Sequence, residues 1–316
     1  MHGMRLSFIK CHGSGNDFPL IDARAIEADW PVVARALADR AGPVGGDGLL
    51  LLVPGEGGAA FGMRMFNPDG SEAETCLNGL RCVARLGFEA TGREQARVTL
   101  KASRAEARRD PPIAPGVATI GTAAAASTEL ARVGLALGAA QLVEAAVPGL
   151  PSARAFTAVA MPNPHLVAFV EAVDEAELMA LGDWIEAGPA LMPGRGNVSF
   201  VEQRGPDRLF VRTYERGVGL TNACGSAMAA ATFAAGLTGR IGWDRPVTVF
   251  NRGGLVRTQA SAPADGAVVR VSGNATFEWD GAIEIDPATG GPGALEVARR
   301  RDEEVRAWDA AVAALT

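Results

Sequence analysis

The chain has 316 residues, 48% of them hydrophobic, and a formal net charge of −6 from 36 acidic and 30 basic side chains. That length supports one large domain or two medium ones, each with a real core, and no basic block points to nucleic acid or an anionic membrane surface. No apolar stretch reaches the roughly 18 residues of a transmembrane helix, and the opening MHGMRLSFIKCHGSG lacks the apolar run of a signal peptide. A cytoplasmic protein acting on a small molecule, with no nucleic acid and no membrane among its partners, is the expectation.

Taken in chain order, a strand opens at Leu6–Phe8 and leads into HGSGNDF, which carries Asn16. That motif lacks the third glycine of a dinucleotide fingerprint, and no suitable strand–helix–strand unit follows. A helical segment follows at Pro31–Ala41. The glycine-rich GPVGGDG at Gly42–Gly48 reads as a loop, and no G-K-[ST] makes it a P-loop. Strands are predicted at Leu49–Val53 and Gly62–Phe66, then a turn rich in Gly, Asn and Asp that delivers Cys76. An Ala-rich helix at Leu80–Ala90, closed by glycine, and a strand at Arg97–Lys101 complete this half. Ala105–Pro115 and Gly121–Thr128 read as loops or poor strands.

The same order then recurs. Strands are predicted at Phe156–Ala160, Val198–Val201, Arg208–Tyr214 and Thr248–Phe250, with helices at Glu175–Ala187 and Ser226–Leu237. Five features match at a nearly constant offset of about 147–150 residues: Asn16 with Asn163, Asp47 with Asn197, Phe66–Asn67 with Tyr214–Glu215, Cys76 with Cys224, and TGR at Thr91–Arg93 with TGR at Thr238–Arg240. The chain therefore contains a duplicated unit of about half its length. Beyond Pro287, a Gly/Pro linker leads into a helical tail with Leu295, Val297, Val305, Trp308 and Val312 as candidate buried contacts.

Four cysteines and three histidines are present, with no C-x-x-C and no H-x-x-H. Neither a zinc site nor a set of stable disulfides is expected from these spacings in a reducing compartment. Only Lys10 and Lys101 are lysines, which leaves almost no choice of a Schiff-base residue for pyridoxal phosphate. A lone cysteine is ordinarily a small buried hydrophobe, and Cys11 and Cys82 are read that way. Cys76 and Cys224 differ because each precedes a helical pattern. The free N–H groups and dipole of a helix start stabilise an anion, whether a thiolate or a substrate carboxylate. If the halves face one another by pseudo-twofold symmetry, two thiols flank one ligand. Inverting a carbon that bears hydrogen needs such a pair, a base on one face and an acid on the other.

Over residues 5–286 the chain resembles the diaminopimelate epimerase family. The resemblance is carried in order by HGSGNDF, FNPDGSEAETCLNG, MPNPH, RGNVSF and YERGVGLTNACGS. It implies an α/β fold of mixed sheets in two pseudo-symmetric halves, each a barrel-like sheet around a central helix, with the active site in the cleft between them. It implies conversion of LL- to meso-diaminopimelate, for lysine and peptidoglycan precursors, with no cofactor or metal and as a homodimer. By resemblance Cys76 and Cys224 are the acid/base pair. Asn78, Gly225, Ser226 and the backbone at Leu77 hold the reacting amino-acid head. Asn67, Asn163, Asn197, Glu215 and Arg216 hold the distal one, Asn16 adds a further contact, and His165 and Glu215 tune the thiols. Arg216 would offer a planar fork to a carboxylate and Glu215 would accept from an ammonium.

The domains expected are 1–125 with 277–286, carrying Cys76; 126–276, carrying Cys224; and a C-terminal helical extension over 287–316. Four positions depart from the family pattern: Leu77 where glycine is usual, Gly48 where glutamine is common, Leu220 for glutamate and Ala227 for glycine. A side chain at position 77 would be strained if positive φ were needed there, and Gly48 would lose a side-chain contact. These departures keep two alternatives open: a two-cysteine racemase of another amino acid such as histidine, and a degenerate member without catalysis. Read blandly, His165 is a core histidine and Glu215–Arg216 a surface ion pair.

Overall fold

The computed structural model describes residues 3–73, 76–161, 163–263, 266–286 and 289–315. Glu74 and Thr75 of the first cysteine motif, Pro162 of MPNPH and Pro287 at the expected start of the tail lie outside the described residues. The chain divides into two compact units, Met1–Thr122 with Ser272–Thr316, and Ala123–Val271.

In chain order the elements are β1 (Met4–Gly13), β2 (Asn16–Asp22), α1 (Trp30–Ala38), β3 (Leu49–Pro54), β4 (Phe61–Phe66), β5 (Glu72–Ala73), α2 (Leu77–Thr91), β6 (Gln95–Thr99), β7 (Arg104–Arg109) and β8 (Thr119–Ala125). There follow α3 (Leu130–Val133), β9 (Ala145–Ala146), β10 (Ala155–Ala160), β11 (Pro164–Phe169), α4 (Glu175–Glu186), β12 (Asn197–Gly205), β13 (Arg208–Glu215), β14 (Gly219–Thr221), α5 (Gly225–Leu237), β15 (Val247–Asn251), β16 (Gly254–Ala260) and β17 (Val268–Asn274). The chain closes with β18 (Thr276–Ile285), β19 (Glu296–Arg300) and α6 (Asp302–Ala313).

The duplication is written in the strand pairing. In the first unit β1 and β2 form a hairpin, β2 runs parallel to β3, β3 and β4 are antiparallel, and β4 pairs with β5 and, in parallel, with β6. In the second unit β10, β11, β12, β13, β14 and β15 repeat that pattern step for step. Each sheet is mixed, as a parallel step bridged by a helix requires.

Each sheet is covered on both faces, which explains runs such as Leu49–Leu52 that are apolar without alternation. Leu50 and Leu52 pack with Leu80, Val83 and Phe88 of α2, whereas Leu49 and Leu51 pack with Val33 and Leu37 of α1. α2 lies against β1, β2, β3, β4, β6 and β7, so the sheet wraps it. α5 is enclosed in the same way by β10, β11, β12, β13, β15 and β16. Its Ala-rich sequence is buried on nearly every side, the pattern of a helix inside a core.

Local chemistry sets the helix limits. α1 starts where the Asp29 carboxylate accepts from Val32 N at 3.2 Å, with Pro31 in its first turn. It ends at Ala38, three residues before the predicted limit, because Asp39 adopts ψ 118° ahead of the Gly42–Pro43 turn. α2 ends on Gly92 at φ 66°, whose N–H reaches Phe88 O at 2.9 Å.

Of the two readings left open for the Arg-rich and Ala-rich segments, loop or poor strand, the strand holds in part: they contain β7, paired with β6, and β8, paired with β7. Ala107 faces inward while Arg104, Glu106 and Arg108 are exposed, an alternation that outweighs the weak strand propensity of these residues. The tail is not helical throughout. Val297 lies in β19, opposite Gly281 of β18, and is exposed rather than buried. Helix α6 carries Asp302, Glu303 and Glu304 in its first turn, where the helix dipole favours them. Its Trp308 is buried against His12, with ring centroids 5.6 Å apart, and Glu304 receives a two-pronged contact from Arg85 at 2.5 and 3.0 Å.

Among the described residues no helix is long and apolar enough to cross a membrane.

Candidate active site

The first cysteine is the N-cap of α2. Cys76 has extended backbone (φ −149°, ψ 110°), and its Sγ accepts from Gly79 N at 3.3 Å, where a capping oxygen would usually sit. Gly79 lets the helix start pack closely on β3, since a Cβ there would meet Leu50 Cδ2 at 2.7 Å. Leu77 is the first helical residue and does not have positive φ, so its side chain is unstrained and packs into the core below the helix. Asn78 is buried, and its Oδ1 has no hydrogen-bond partner among the described residues.

Asn16 reaches this helix start from the β1–β2 hairpin. Its Oδ1 lies 3.6 Å from Cys76 Sγ, and its Nδ2 donates to Asp47. Asp47 also accepts from Asp17 N at 3.1 Å and from Arg40 at 2.6 Å. The Asn16 amide is therefore oriented by a carboxylate that sequence reasoning used only as a repeat marker. Gly48, the next residue, has no room for a side chain: a Cβ there would lie 2.5 Å from Phe66 O. Its glycine reflects close packing of the loop on β4, not a contact deleted from an otherwise permissive backbone. Asn67 sits in the turn after β4, with Nδ2 donating to Ser71 Oγ at 2.9 Å.

The second cysteine is the N-cap of α5 and is more enclosed. Cys224 is extended (φ −131°, ψ 106°) and buried, with Sγ 3.5 Å from Ser226 Oγ. Burial pushes this thiol well above its ordinary pKa and the Glu215 carboxylate adds to the rise, while the Ser226 hydroxyl and Ala227 N–H oppose it. Gly225 is the first residue of α5, and Ala227 is fully buried in the core around it. Leu220 lies on β14, half-buried opposite Tyr214.

His165 and Asn197 are register partners on the parallel pair β11–β12. The His165 Nε2 lies 3.0 Å from Asn163 Oδ1 and 3.3 Å from Asn197 Nδ2, so it donates to the first or accepts from the second according to its tautomer. Burial first, then the Arg216 charge, lowers this imidazole to about 3, and it is neutral at physiological pH. Its Nδ1 has no partner among the described residues. Asn197 Oδ1 accepts from Arg216 N at 2.8 Å, and the exposed Arg216 guanidinium donates to Gly194 O at 3.2 Å. Glu215 accepts from the Thr221 hydroxyl.

In the first unit Asn16, Leu77 and Asn78 lie at the helix start held by Cys76, while Asn67 lies in the turn after β4; in the second Glu215, Gly225 and Ser226 adjoin Cys224, while Asn163, His165, Asn197 and the Arg216 backbone form a linked set of their own. Three supporting residues escaped sequence reasoning, Ser14, Arg81 and Asn274, because their roles depend on contacts across long sequence separations. Among the described residues no group of three or more His, Cys, Asp or Glu side chains is placed to hold a metal ion.

Comparison with known proteins places the fold and the sequence. A hydroxyproline epimerase from Agrobacterium vitis covers 100% of both chains with a TM-score of 0.62 at 13% identity. A methylitaconate-delta-isomerase covers 95% of this chain and 100% of its own at 0.63 and 13%. A PhzF-family phenazine biosynthesis protein of Bacillus anthracis covers 88% and 99% at 0.64 and 13%. These likenesses are of fold. Sequence goes further. Diaminopimelate epimerase of Enterococcus faecalis is 38% identical over 286 residues (87% of this chain, 88% of that one). That of Clostridium acetobutylicum is 34% identical over 290 (90% and 87%), and that of Lactiplantibacillus plantarum 35% identical over 320 (96% of each). The family profile described as Diaminopimelate epimerase matches residues 8–108 and 157–278, and the chain belongs to that family.

Proposed function

We propose that the protein epimerises LL-diaminopimelate to meso-diaminopimelate with Cys76 and Cys224 as the two acid/base groups. The observation that carries this reading is the repeated one: in each unit a cysteine occupies the N-cap position of the enclosed helix, with Asn16 beside Cys76 and Glu215 and Ser226 beside Cys224. In the step proposed, one thiolate removes the α-hydrogen of one substrate centre as a proton. The electron pair left on carbon spreads into the adjacent carboxylate, where helix-start N–H groups and the side chains of Asn78 and Ser226 stabilise it. The other thiol delivers its proton to the opposite face, inverting the centre and leaving a thiolate; the reverse reaction exchanges the roles. The reaction balances without a cofactor or metal.

Asn67, Asn163, Asn197, Glu215 and Arg216 suit the second, unreacting amino-acid head, which a single-headed substrate lacks. Asn16, oriented by Asp47, holds the Cys76 side. Gly48 is given no side-chain role. The same reading places the enzyme in the cytoplasm as a homodimer supplying lysine and peptidoglycan precursors.

The test is turnover of LL-diaminopimelate beside a panel of single-headed L-amino acids, histidine included. Epimerisation of diaminopimelate alone is expected. Racemisation of a panel member without turnover of diaminopimelate would transfer the assignment to another amino acid, and no exchange at any α-carbon would favour a binding role.

A further inference from the structure

Among the described residues of the first unit, Arg81 is a buried cation that pairs with no carboxylate. It is fully enclosed on α2. Its Nε donates to Asn274 O at 3.0 Å, Nη2 to Ser14 Oγ at 3.0 Å and Nη1 to Leu77 O at 3.4 Å, all neutral acceptors. Among the described residues it makes no ion pair, whereas the other deeply buried arginines do: Arg85, one turn on, pairs with Glu304 and Glu89, and Arg212 pairs with Glu175. An unpaired charge in a protein interior is costly, and an anion formed nearby would offset that cost.

We propose that Arg81 is a positioning residue for the epimerisation, its guanidinium serving as the counter-charge that keeps Cys76 ionised as the resting base. The inference rests on the assignment of Cys76 as an acid/base group.

The geometry ties the two together by two routes. Along α2, Arg81 holds the carbonyl of Leu77, the residue directly after Cys76. Across the hairpin, it holds Ser14, two residues before the Asn16 whose Oδ1 meets the Cys76 thiol. Ser14 has φ 54° in a two-residue turn and is fixed there by its N–H to Asn274 Oδ1 at 2.7 Å. Gly13 gives the guanidinium its space, since a Cβ there would lie 2.9 Å from Arg81 Nη2 and 2.7 Å from Asn78 O. Burial pushes Arg81 down to about 10, with Cys82 and Cys76 acting to raise it. It therefore stays charged at neutral pH. Of the two thiols that act on it, only Cys76 sits at the helix start with an N–H directed at sulfur; Cys82 is enclosed in the core.

The other charged groups of this region are accounted for. Burial holds His12 down to about 4, so it is neutral at the pH of interest. Lys10 and Arg40 pair with Asp17, and Arg40 also with Asp47. Glu278 on β18 is raised by burial. Cys11, on β1, is raised well above the usual thiol range, first by burial and then by Cys82.

The experiment is alkylation of the full-length protein by iodoacetamide as a function of pH, with each cysteine followed by peptide mass spectrometry. In the unaltered protein Cys76 is expected to react at lower pH than Cys224. Arg81→Gln should move the Cys76 midpoint up by about 1–3 pH units, the usual effect of removing a neighbouring opposite charge, and leave Cys224 in place; Arg81→Lys should restore most of the shift. An unmoved Cys76 midpoint in Arg81→Gln, or an equal shift in Arg81→Lys, would overturn the proposal. If Arg81→Gln does not fold, the order in the unaltered protein decides, and Cys76 reacting no earlier than Cys224 refutes it. Epimerisation surviving in Cys76→Ser defeats the assignment of the base separately, because the alkylation profile is read without turnover.

Discussion

The two helix starts are built alike and charged differently. Both cysteines have the same extended backbone, cap a core-enclosed helix and follow the same strand order. Around Cys76 the charge is positive and buried, in Arg81, and the Gly79 N–H points at sulfur. Around Cys224 the nearby charge is the carboxylate of Glu215, and burial acts in the same direction, so this thiol is held protonated at neutral pH. Duplication supplied one frame twice, and divergence of a few side chains left the two copies with opposite charges beside the cysteine, which is the basis of the roles proposed for them.

Substitution of either cysteine should have the largest effect. Cys76→Ser and Cys224→Ser are each expected to lower turnover by about 10²–10⁴-fold, the usual worth of an acid/base group, with unchanged circular dichroism. Near-normal turnover in one variant would break the equivalence of the two positions. A smaller effect sharpens the difference in charge. Glu215 raises the Cys224 pKa, so Glu215→Gln should shift alkylation of Cys224 to lower pH by about one unit and leave Cys76 unmoved. The KM for diaminopimelate should rise as well if Glu215 holds the distal head as proposed. Smallest in consequence for the chemistry is Gly48→Ala. In the second unit Val198 follows Asn197, whereas in the first unit glycine follows Asp47. The added Cβ must displace the Phe66 carbonyl, and a loss of about 1–3 kcal/mol in stability is expected, read as a lower Tm.

The frame of the fold was legible because each copy repeats its pattern of apolar runs, glycine turns and cysteine placement, and two weak signals at one offset reinforce each other. The pair Cys76 and Cys224 was legible for the same reason. What escaped was set by partners distant in sequence. β7 and β8 are Arg-rich and Ala-rich, and become strands because their neighbours supply the ladder. β19 exists because the edge of β18 is available to pair with it. Arg81 reads locally as one more polar residue on a helix. Its significance comes from Ser14, about 70 residues earlier, and Asn274, about 190 later, contacts between elements of high sequence separation that no local pattern encodes. Gly48 shows the converse error, in which a departure from the family pattern reads as a lost contact although the backbone admits no side chain.

The central claim is that separate thiols remove and deliver the proton. It is tested most directly by following LL-diaminopimelate in D2O at low conversion. The account predicts one solvent deuterium at the inverted α-carbon of the meso product and none in the recovered substrate, because the group that takes the substrate hydrogen is not the group that supplies the new one. Deuterium appearing in recovered substrate as fast as in product, or product that retains the substrate's own hydrogen, would contradict it.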